Sequence, residues 1–266
     1  MNEIICVEHV RKEYKIHEKQ EGLGKGMADF FHRKYICRAA VKDVSFSIDR
    51  GQIVGLLGEN GAGKTTLLKM LTGILFPTEG KVRVLGFTPT DRKKAFLKSI
   101  SFVMGNRSEI NWDLPAVDSF RYQQLVYEVP QKRFWENLER MAGLLDVGHL
   151  LNVPIRRLSL GERMKMELIG SFLYSPQLVF LDEPTLGLDL KSQIAIREFL
   201  KACRRERNTT ILMTSHYMDD IEETCDRVIL LHRGEKIHDG SIRELKEPGQ
   251  PFKEIILNLI QDEEMG

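Results

Sequence analysis

The 266-residue sequence has no hydrophobic run long enough to cross a bilayer. A membrane-spanning helix needs about 20 mostly apolar residues, whereas the longest apolar stretches, such as 178–181 and 228–231, have the length of a strand. Near residue 1 there is also no basic segment followed by a long apolar stretch, so we expect no signal peptide. With 42% hydrophobic and 29% charged residues, the sequence predicts a soluble globular protein.

Charge and cysteine content also exclude some classes of protein. The formal net charge is +1, so there is no strong overall field to attract nucleic acid or a membrane surface. The four cysteines, Cys6, Cys37, Cys203 and Cys225, have neither the spacing of a metal site nor that of a disulfide framework. We therefore expect reduced, structural thiols in a cytosolic protein.

Hydrophobic periodicity predicts strands that alternate with helices. The predicted strands are 3–14 (as an edge strand), 41–48, 52–57, 178–182 and 209–214. The predicted helices are 64–71, 119–127, 131–145, 162–174 and 191–205. Such alternation favours a parallel sheet with helices on both faces. Residues 15–39 are basic and aromatic and predict an insertion, and about 107–165 predict a helical lobe. The tail, 248–266, has no predicted role.

A glycine-rich loop between a predicted strand and a predicted helix carries the clearest functional pattern. Residues 58–65 match G-x-x-x-x-G-K-[ST], in which glycines let the backbone N–H groups surround phosphate oxygens. The helix that follows offers its N-terminus to the same anions. Lys64 would bind the β and γ phosphates, and Thr65 would bind Mg²⁺. The predicted nucleotide contacts here are Gly58, Asn60, Gly61, Ala62, Gly63, Lys64, Thr65 and Thr66.

Two further predicted strands end in residues with suitable chemistry. Asp182 and Glu183 follow the apolar strand at 178–181; Asp182 suits Mg²⁺, and Glu183 suits a base that polarises an attacking water. His216 follows the strand at 209–214 and would face the γ-phosphate, because ligands collect at the carboxyl ends of parallel strands. Lys64, Glu183 and His216 are therefore the predicted catalytic residues.

The ordered set of motifs resembles the ABC ATPase family. Besides the loop, the set comprises LSLGE at 158–162, DEPT at 182–185, GLD at 187–189 and TSH at 214–216. The resemblance covers about 3–245 and implies an α/β P-loop NTPase fold over residues 1–247, with a mostly parallel sheet core, an antiparallel β subdomain and a helical lobe. Within the family, the chain looks most similar to ABC-2-type exporters, in particular the viologen-exporter-like group.

The resemblance implies that two such domains pair head to tail around ATP. Ser159, the Gly161 backbone and Glu162 would then face the partner's nucleotide, and Asp189 would lie at the seam. The family pattern is LSGGQ, so Leu160 replaces a glycine and Glu162 replaces a glutamine. A family glutamine that contacts Mg²⁺ aligns with Asn106, which is shorter by one methylene. The aromatic residue that stacks on adenine is either Tyr14 or Tyr35, with Tyr14 favoured.

The basic segment 25–38 has two interpretations. It could form a short amphipathic element that contacts the bilayer surface or a membrane partner, or a solvated loop with aromatic residues packed on the domain.

These inferences predict an ATP-hydrolysing subunit, with ATP and Mg²⁺ as cofactors, that powers export. Its expected partners are a second ATP-binding subunit, for which an identical copy suffices, and separate integral membrane permease subunits. It would lie at the cytoplasmic face of the membrane as a peripheral subunit, and no nucleic-acid partner is expected. One alternative is a soluble ABC ATPase that acts on ribosomes or DNA. Another is a non-hydrolysing regulatory subunit, which the presence of Glu183 and His216 disfavours.

Overall fold

The computed structural model describes residues 2–17, 35–105, 110–246 and 249–265. Within these ranges, none of the helices combines the length and apolar character needed to span a membrane.

Nine strands in the described ranges form one sheet, in the order β4-β1-β2-β9-β8-β3-β7-β6-β5. They are β1 Glu3–His17, β2 Tyr35–Asp49, β3 Ile53–Gly58, β4 Glu79–Val84, β5 Ile100–Met104, β6 Leu178–Asp182, β7 Thr210–Thr214, β8 Arg227–His232 and β9 Glu235–Ser241.

The half of the sheet from β8 to β5 is parallel. Its strands are nearly continuous apolar runs because both faces are covered. Within β3, Ile53 and Leu57 belong to one buried cluster, while Val54 and Leu56 belong to the other, as the period of two along a strand requires. The parallel arrangement places the loops after β3, β6 and β7 at the same edge of the sheet. The predicted parallel core is therefore confirmed.

The other half is antiparallel except for a parallel bridge between β2 and β9, and it corrects one prediction. β1 pairs with β2 on one side and with β4 on the other, so the prediction that β1 is an edge strand was wrong. The alternation of apolar residues in β1 indicates that one face of this strand is buried. It cannot reveal that β4, which comes later in the sequence, pairs with β1. β1 and β2 also run into the predicted insertion, with Tyr14 opposite Arg38 and His17 opposite Tyr35. Residues 18–34, with most of the predicted amphipathic element, lie outside the described residues.

The α-helices in the described ranges cover both faces of the sheet. They are α1 Lys64–Leu71, α2 Lys94–Ser99, α3 Ala116–Val126, α4 Gln131–Leu144, α5 Leu160–Leu173, α6 Leu190–Arg207, α7 Met218–Thr224, α8 Ile242–Leu245 and α9 Phe252–Met265. The bounds of α1 agree with the predicted helix. In the predicted helical lobe, α3, α4 and α5 share a buried core that includes Phe120, Phe134 and Phe172.

The C-terminal helix α9 packs on the domain. Phe252 and Ile256 are buried in the same core cluster as the parallel strands. Near its end, the Glu264 carboxylate accepts a hydrogen bond from the Arg233 guanidinium at 2.7 Å. The sequence predicted no role for this segment, and its apolar positions pack against the sheet core.

Candidate active site

The loop between β3 and α1 has a backbone that requires glycine. Gly58 and Gly63 have φ angles of +150° and +103°, in the region that side chains disfavour. A Cβ atom on Gly58 would lie 2.3 Å from the Leu231 carbonyl oxygen, and one on Gly63 would lie 2.4 Å from that of Ala40. No side chain caps α1 in the described structure, so its first N–H groups are free to bind an anion.

The ammonium of Lys64 lies across this loop. Lys64 is buried, and its Nζ donates hydrogen bonds to the Gly58 carbonyl at 2.6 Å and to the Glu59 carbonyl at 3.1 Å. Burial lowers the pKa of Lys64, against the opposing effect of the carboxylates of Glu183, Asp182 and Glu59. A cation held only by carbonyl oxygens can move to a stronger anionic partner, such as a phosphate.

Asp182, at the carboxyl end of β6, joins the loops of three strands. Its carboxylate accepts hydrogen bonds from the hydroxyl of Thr65 at 3.0 Å and from that of Thr214 at 2.8 Å. A carboxylate beside a threonine hydroxyl is a pair of hard oxygen donors, which is the chemistry that Mg²⁺ requires. Thr65 and Asp182 therefore fit this metal. Asn106, the third predicted metal ligand, lies outside the described residues.

Glu183 adopts a strained backbone next to these residues. Its φ is +60°, which is costly for a residue with a side chain, and its N–H donates to the Thr214 hydroxyl at 3.0 Å. The Glu183 Oε1 atom lies 3.0 Å from His216 Nε2. Burial raises the pKa of Glu183, and the charges of His216 and Lys64 partly offset that effect. Asp182 and Glu183 thus contact different partners; because Glu183 follows the end of β6 and has a positive φ, this turn and not alternation along a strand separates them.

These residues open into one cleft of about 1320 Å³. The loop residues Gly61 to Thr66 line it together with Asp182, Glu183 and His216, and Tyr14 lines it too. Tyr35 pairs with His17, three positions beyond Tyr14 along the hairpin, which corresponds to about 10 Å at the rise of a strand. This geometry favours Tyr14 for adenine.

Four basic residues that no sequence motif assigned to the nucleotide site also line the cleft, namely Lys15, Arg38, Lys42 and Arg233. Lys42 is paired with Glu235 at 2.7 Å. The pairing of β1 with β2 places Arg38 directly opposite Tyr14, whereas Arg233 comes from the turn between β8 and β9. These residues meet through long-range pairing, so no local sequence pattern could have placed them in the cleft.

The LSLGE segment begins α5. Ser159 is the N-cap: its hydroxyl accepts from the Glu162 N–H, and the Glu162 carboxylate accepts from the Ser159 N–H at 2.8 Å. This capping box satisfies two helix-end donors. The hydrogen bonds from Ser159 also hold the pKa of Glu162 below its ordinary value.

Asp189 caps the neighbouring helix, α6. Its carboxylate accepts from the Ser192 N–H at 2.9 Å and from the Ser192 hydroxyl at 2.7 Å, and these bonds lower its pKa. A Cβ atom on Gly161 would lie 2.4 Å from the Ser192 hydroxyl, so the starts of α5 and α6 are adjacent. Among the described residues that line the cleft, Leu160 represents the LSLGE segment, whereas Ser159, Gly161, Glu162 and Asp189 are not in the lining.

Comparisons with known proteins agree on a family. The profile of the family described as "ABC transporter" matches residues 41–186. The chain is 33% identical to the ABC transporter ATP-binding protein NatA of Bacillus subtilis, covering 78% of this chain and 84% of NatA. It is 33% identical to the Nod factor export ATP-binding protein I of Ralstonia nicotianae, covering 80% of this chain and 66% of that protein. A solved ATP-binding subunit of an ABC transporter superposes with a TM-score of 0.79 at 22% identity, covering 96% of this chain and 99% of that one.

Proposed function

The chain belongs to the ABC transporter family as an ATP-binding, ATP-hydrolysing subunit, and from this premise we propose that it powers export through separate membrane subunits. The observation that carries the proposal is the convergence of Lys64, Asp182 and Glu183 at one edge of the parallel sheet. The Thr65 hydroxyl, 3.0 Å from the Asp182 carboxylate, links the phosphate loop to the acidic strand end.

The phosphate loop binds the triphosphate of ATP. The N–H groups at the start of α1 donate to phosphate oxygens, and the helix dipole adds to the attraction. Lys64 exchanges the carbonyls of Gly58 and Glu59 for the β and γ phosphates. Because Lys64 is buried, its charge acts with little screening by water.

The Thr65 hydroxyl and the Asp182 carboxylate would hold Mg²⁺, which would neutralise charge that develops on the phosphate oxygens. Asn106 remains a proposed third ligand.

Glu183 is the general base. It accepts a proton from a water molecule whose oxygen attacks the γ-phosphorus, and the bond from that phosphorus to the β,γ-bridging oxygen breaks, so the products are ADP and phosphate. A raised pKa makes Glu183 a stronger proton acceptor than an ordinary carboxylate. His216, 3.0 Å from Glu183, orients that carboxylate and donates to the γ-phosphate. Tyr14, which also lines the cleft, stacks on adenine, an interaction worth about 1–3 kcal/mol by analogy with base stacking.

The LSLGE segment binds the nucleotide that is held in the cleft of a second copy of the chain. Ser159 and Leu160 at the start of α5 are exposed, and Ser159, Gly161 and Glu162 lie outside the lining of their own cleft. A head-to-tail dimer gives these residues a phosphate to bind, with Asp189 at the seam. ATP binding then closes the dimer, and hydrolysis reopens it.

The transport direction and the partners are inferred from relatives. One similar protein is named for Nod factor export, and the chain has a similar ATP-binding domain. We place the subunit at the cytoplasmic face of a membrane, bound to permease subunits. Recovery of this chain with a multi-span membrane protein from detergent-solubilised membranes of its own cell would support this assignment. Recovery with ribosomes or DNA instead would favour the soluble alternative.

The ATPase activity is tested with Glu183→Gln. The amide keeps the size of the side chain but cannot accept the proton, so we expect normal ATP binding and a fall in kcat of at least about 100-fold. Glu139→Gln, an exposed glutamate on α4, is the matched control and should hydrolyse ATP like the wild type. Normal turnover by Glu183→Gln would remove Glu183 from the role of base.

A further inference from the structure

A buried polar network joins the two loops that carry Glu183 and His216. Thr185 lies two residues after Glu183, and Ser215 immediately precedes His216. Both hydroxyls donate a hydrogen bond to the same oxygen, Asp220 Oδ2, with an O–O distance of 2.8 Å for Ser215. One carboxylate of α7 therefore holds the loop after β6 and the loop after β7 together.

The members of this network are among the most buried polar residues described. Asp220 and Thr185 are 1% exposed, and Ser215 is 2% exposed. A buried carboxylate is costly unless it is paired and hydrogen-bonded. The two hydroxyls and Arg197 supply that compensation: Arg197 is also buried, and its Nε lies 3.7 Å from the other Asp220 oxygen.

The network has a defined orientation. The Ser215 hydroxyl donates to Asp220 and also accepts from the Tyr217 N–H at 3.0 Å. The Asp220 N–H donates to the Tyr217 carbonyl at 3.2 Å. These hydrogen bonds join the turn after His216 to Asp220, so a shift of Asp220 would move the loop that carries His216.

None of Thr185, Ser215 and Asp220 lines the cleft, so a direct contact with nucleotide does not explain this burial. The distance that the network can control is the 3.0 Å between Glu183 and His216. An electrostatic contact between a carboxylate oxygen and a ring nitrogen weakens as the two groups separate.

We propose that Asp220 is a positioning residue that, through Thr185 and Ser215, fixes Glu183 and His216 at their reactive separation. The inference rests on the proposed function, because it assigns a use to those two side chains. Thr185→Val and Ser215→Ala each remove one hydroxyl and little else. They test the network without leaving Arg197 beside a missing carboxylate, as a change at Asp220 would.

Thr224→Val is the matched control. Thr224 lies on α7 like Asp220 and is also buried, and its hydroxyl has no hydrogen-bond partner in the described part of the chain. The same substitution thus removes a hydroxyl that the network does not use. Its kcat should equal that of the wild type.

The assay measures kcat and ATP affinity separately. We expect Thr185→Val to lower kcat between about 10-fold and about 100-fold, the cost of a misplaced reacting group, with the Kd for ATP unchanged. Thr185→Ser should restore activity. The double variant Thr185→Val, Ser215→Ala should lose less than the product of the two single effects, because both act through one carboxylate.

The comparison of kcat with the melting temperature separates positioning from stability. A purely structural role for Thr185 would lower the melting temperature of Thr185→Val but leave its kcat in place, and that result would overturn the inference.

Failure of the proposed function and failure of the positioning role give different activities. A wild type that does not hydrolyse ATP would reject the proposed function and, with it, this inference. An active wild type, an inactive Glu183→Gln variant and a fully active Thr185→Val variant would reject the positioning role alone.

Discussion

Burial sets the acid–base properties of single residues in the cleft. It raises the pKa of Glu183 and lowers that of Lys64, because in each case the charged form loses hydration. The two charges attract each other and partly offset these effects. A proton acceptor and a cation are therefore poised closer to neutral pH than ordinary glutamate and lysine side chains.

These shifts predict the pH dependence of kcat/KM, which reports the free enzyme. Activity requires ionised Glu183, so it should fall as the pH drops through the raised pKa of that carboxyl. It also requires protonated Lys64, so it should fall again as the pH rises through the lowered pKa of that amine. ATPase rates across the pH range, with Thr224→Val as a control for general effects, check both limbs. An acid limb at about pH 4.3, the ordinary value for glutamate, would contradict the role given to burial.

Local residue patterns predicted the chemistry of the site but not its tertiary support. Lys64, Thr65, Asp182 and Glu183 could be identified because each belongs to a short motif at the end of a strand. Arg38 and Asp220 could not, because their significance depends on residues that lie far away in the sequence. The pairing of β1 with β2 brings Arg38 to the cleft, and the packing of α7 brings Asp220 to Thr185.

At the scale of elements, the sequence predicted the buried strands and long helices better than their ends and neighbours. The predicted helix at 162–174 begins at Leu160 in the structure, because the capping box starts it two residues earlier. The alternation in β1 predicts an edge strand, whereas in the structure β4 occupies the edge of the sheet and β1 lies between β4 and β2. Cross-strand pairing is a long-range property, and alternation within one strand does not encode it.

The capping box predicts a measurable contribution of Ser159 to the stability of the isolated chain. Ser159→Ala removes the hydroxyl that accepts from the Glu162 N–H, so we expect a loss of about 1 kcal/mol. For a chain of this size, that loss lowers the melting temperature by about 2–4 °C.

Thermal unfolding without nucleotide isolates this effect from any contact with a partner's ATP. Ser159→Thr keeps an N-cap hydroxyl and should stay close to the wild type. Ser99→Ala removes an exposed hydroxyl within α2 that donates to the Ala95 carbonyl, and it should change stability by less than about 0.5 kcal/mol. An unchanged melting temperature for Ser159→Ala would show that the capping box does not stabilise α5.

At the scale of the whole molecule, different parts of the fold carry the phosphate loop and the LSLGE segment, although Leu160 borders the same cleft as the loop. The parallel sheet gathers the first with Asp182 and Glu183, whereas the helical lobe carries the second. Leu160 and Leu186 are 50% and 51% exposed at the border of the cleft, where a second copy would cover them. The sequence predicted this division through motif order, but not which side chains border the cleft.

This arrangement predicts an ATP-dependent dimer. In the Glu183→Gln background, where hydrolysis is blocked, ATP should shift the chain from its monomer mass of 30.7 kDa to twice that mass in light scattering after size exclusion. Leu160→Arg places a long cation on the proposed seam and should prevent the shift; because Leu160 also borders the cleft, the Kd of the monomer for ATP is measured alongside. Leu125→Arg is the control, because Leu125 is 75% exposed on α3 and does not line the cleft. A dimer that forms equally well with Leu160→Arg would mean that the copies associate through another surface, and the LSLGE segment would then need a different ligand.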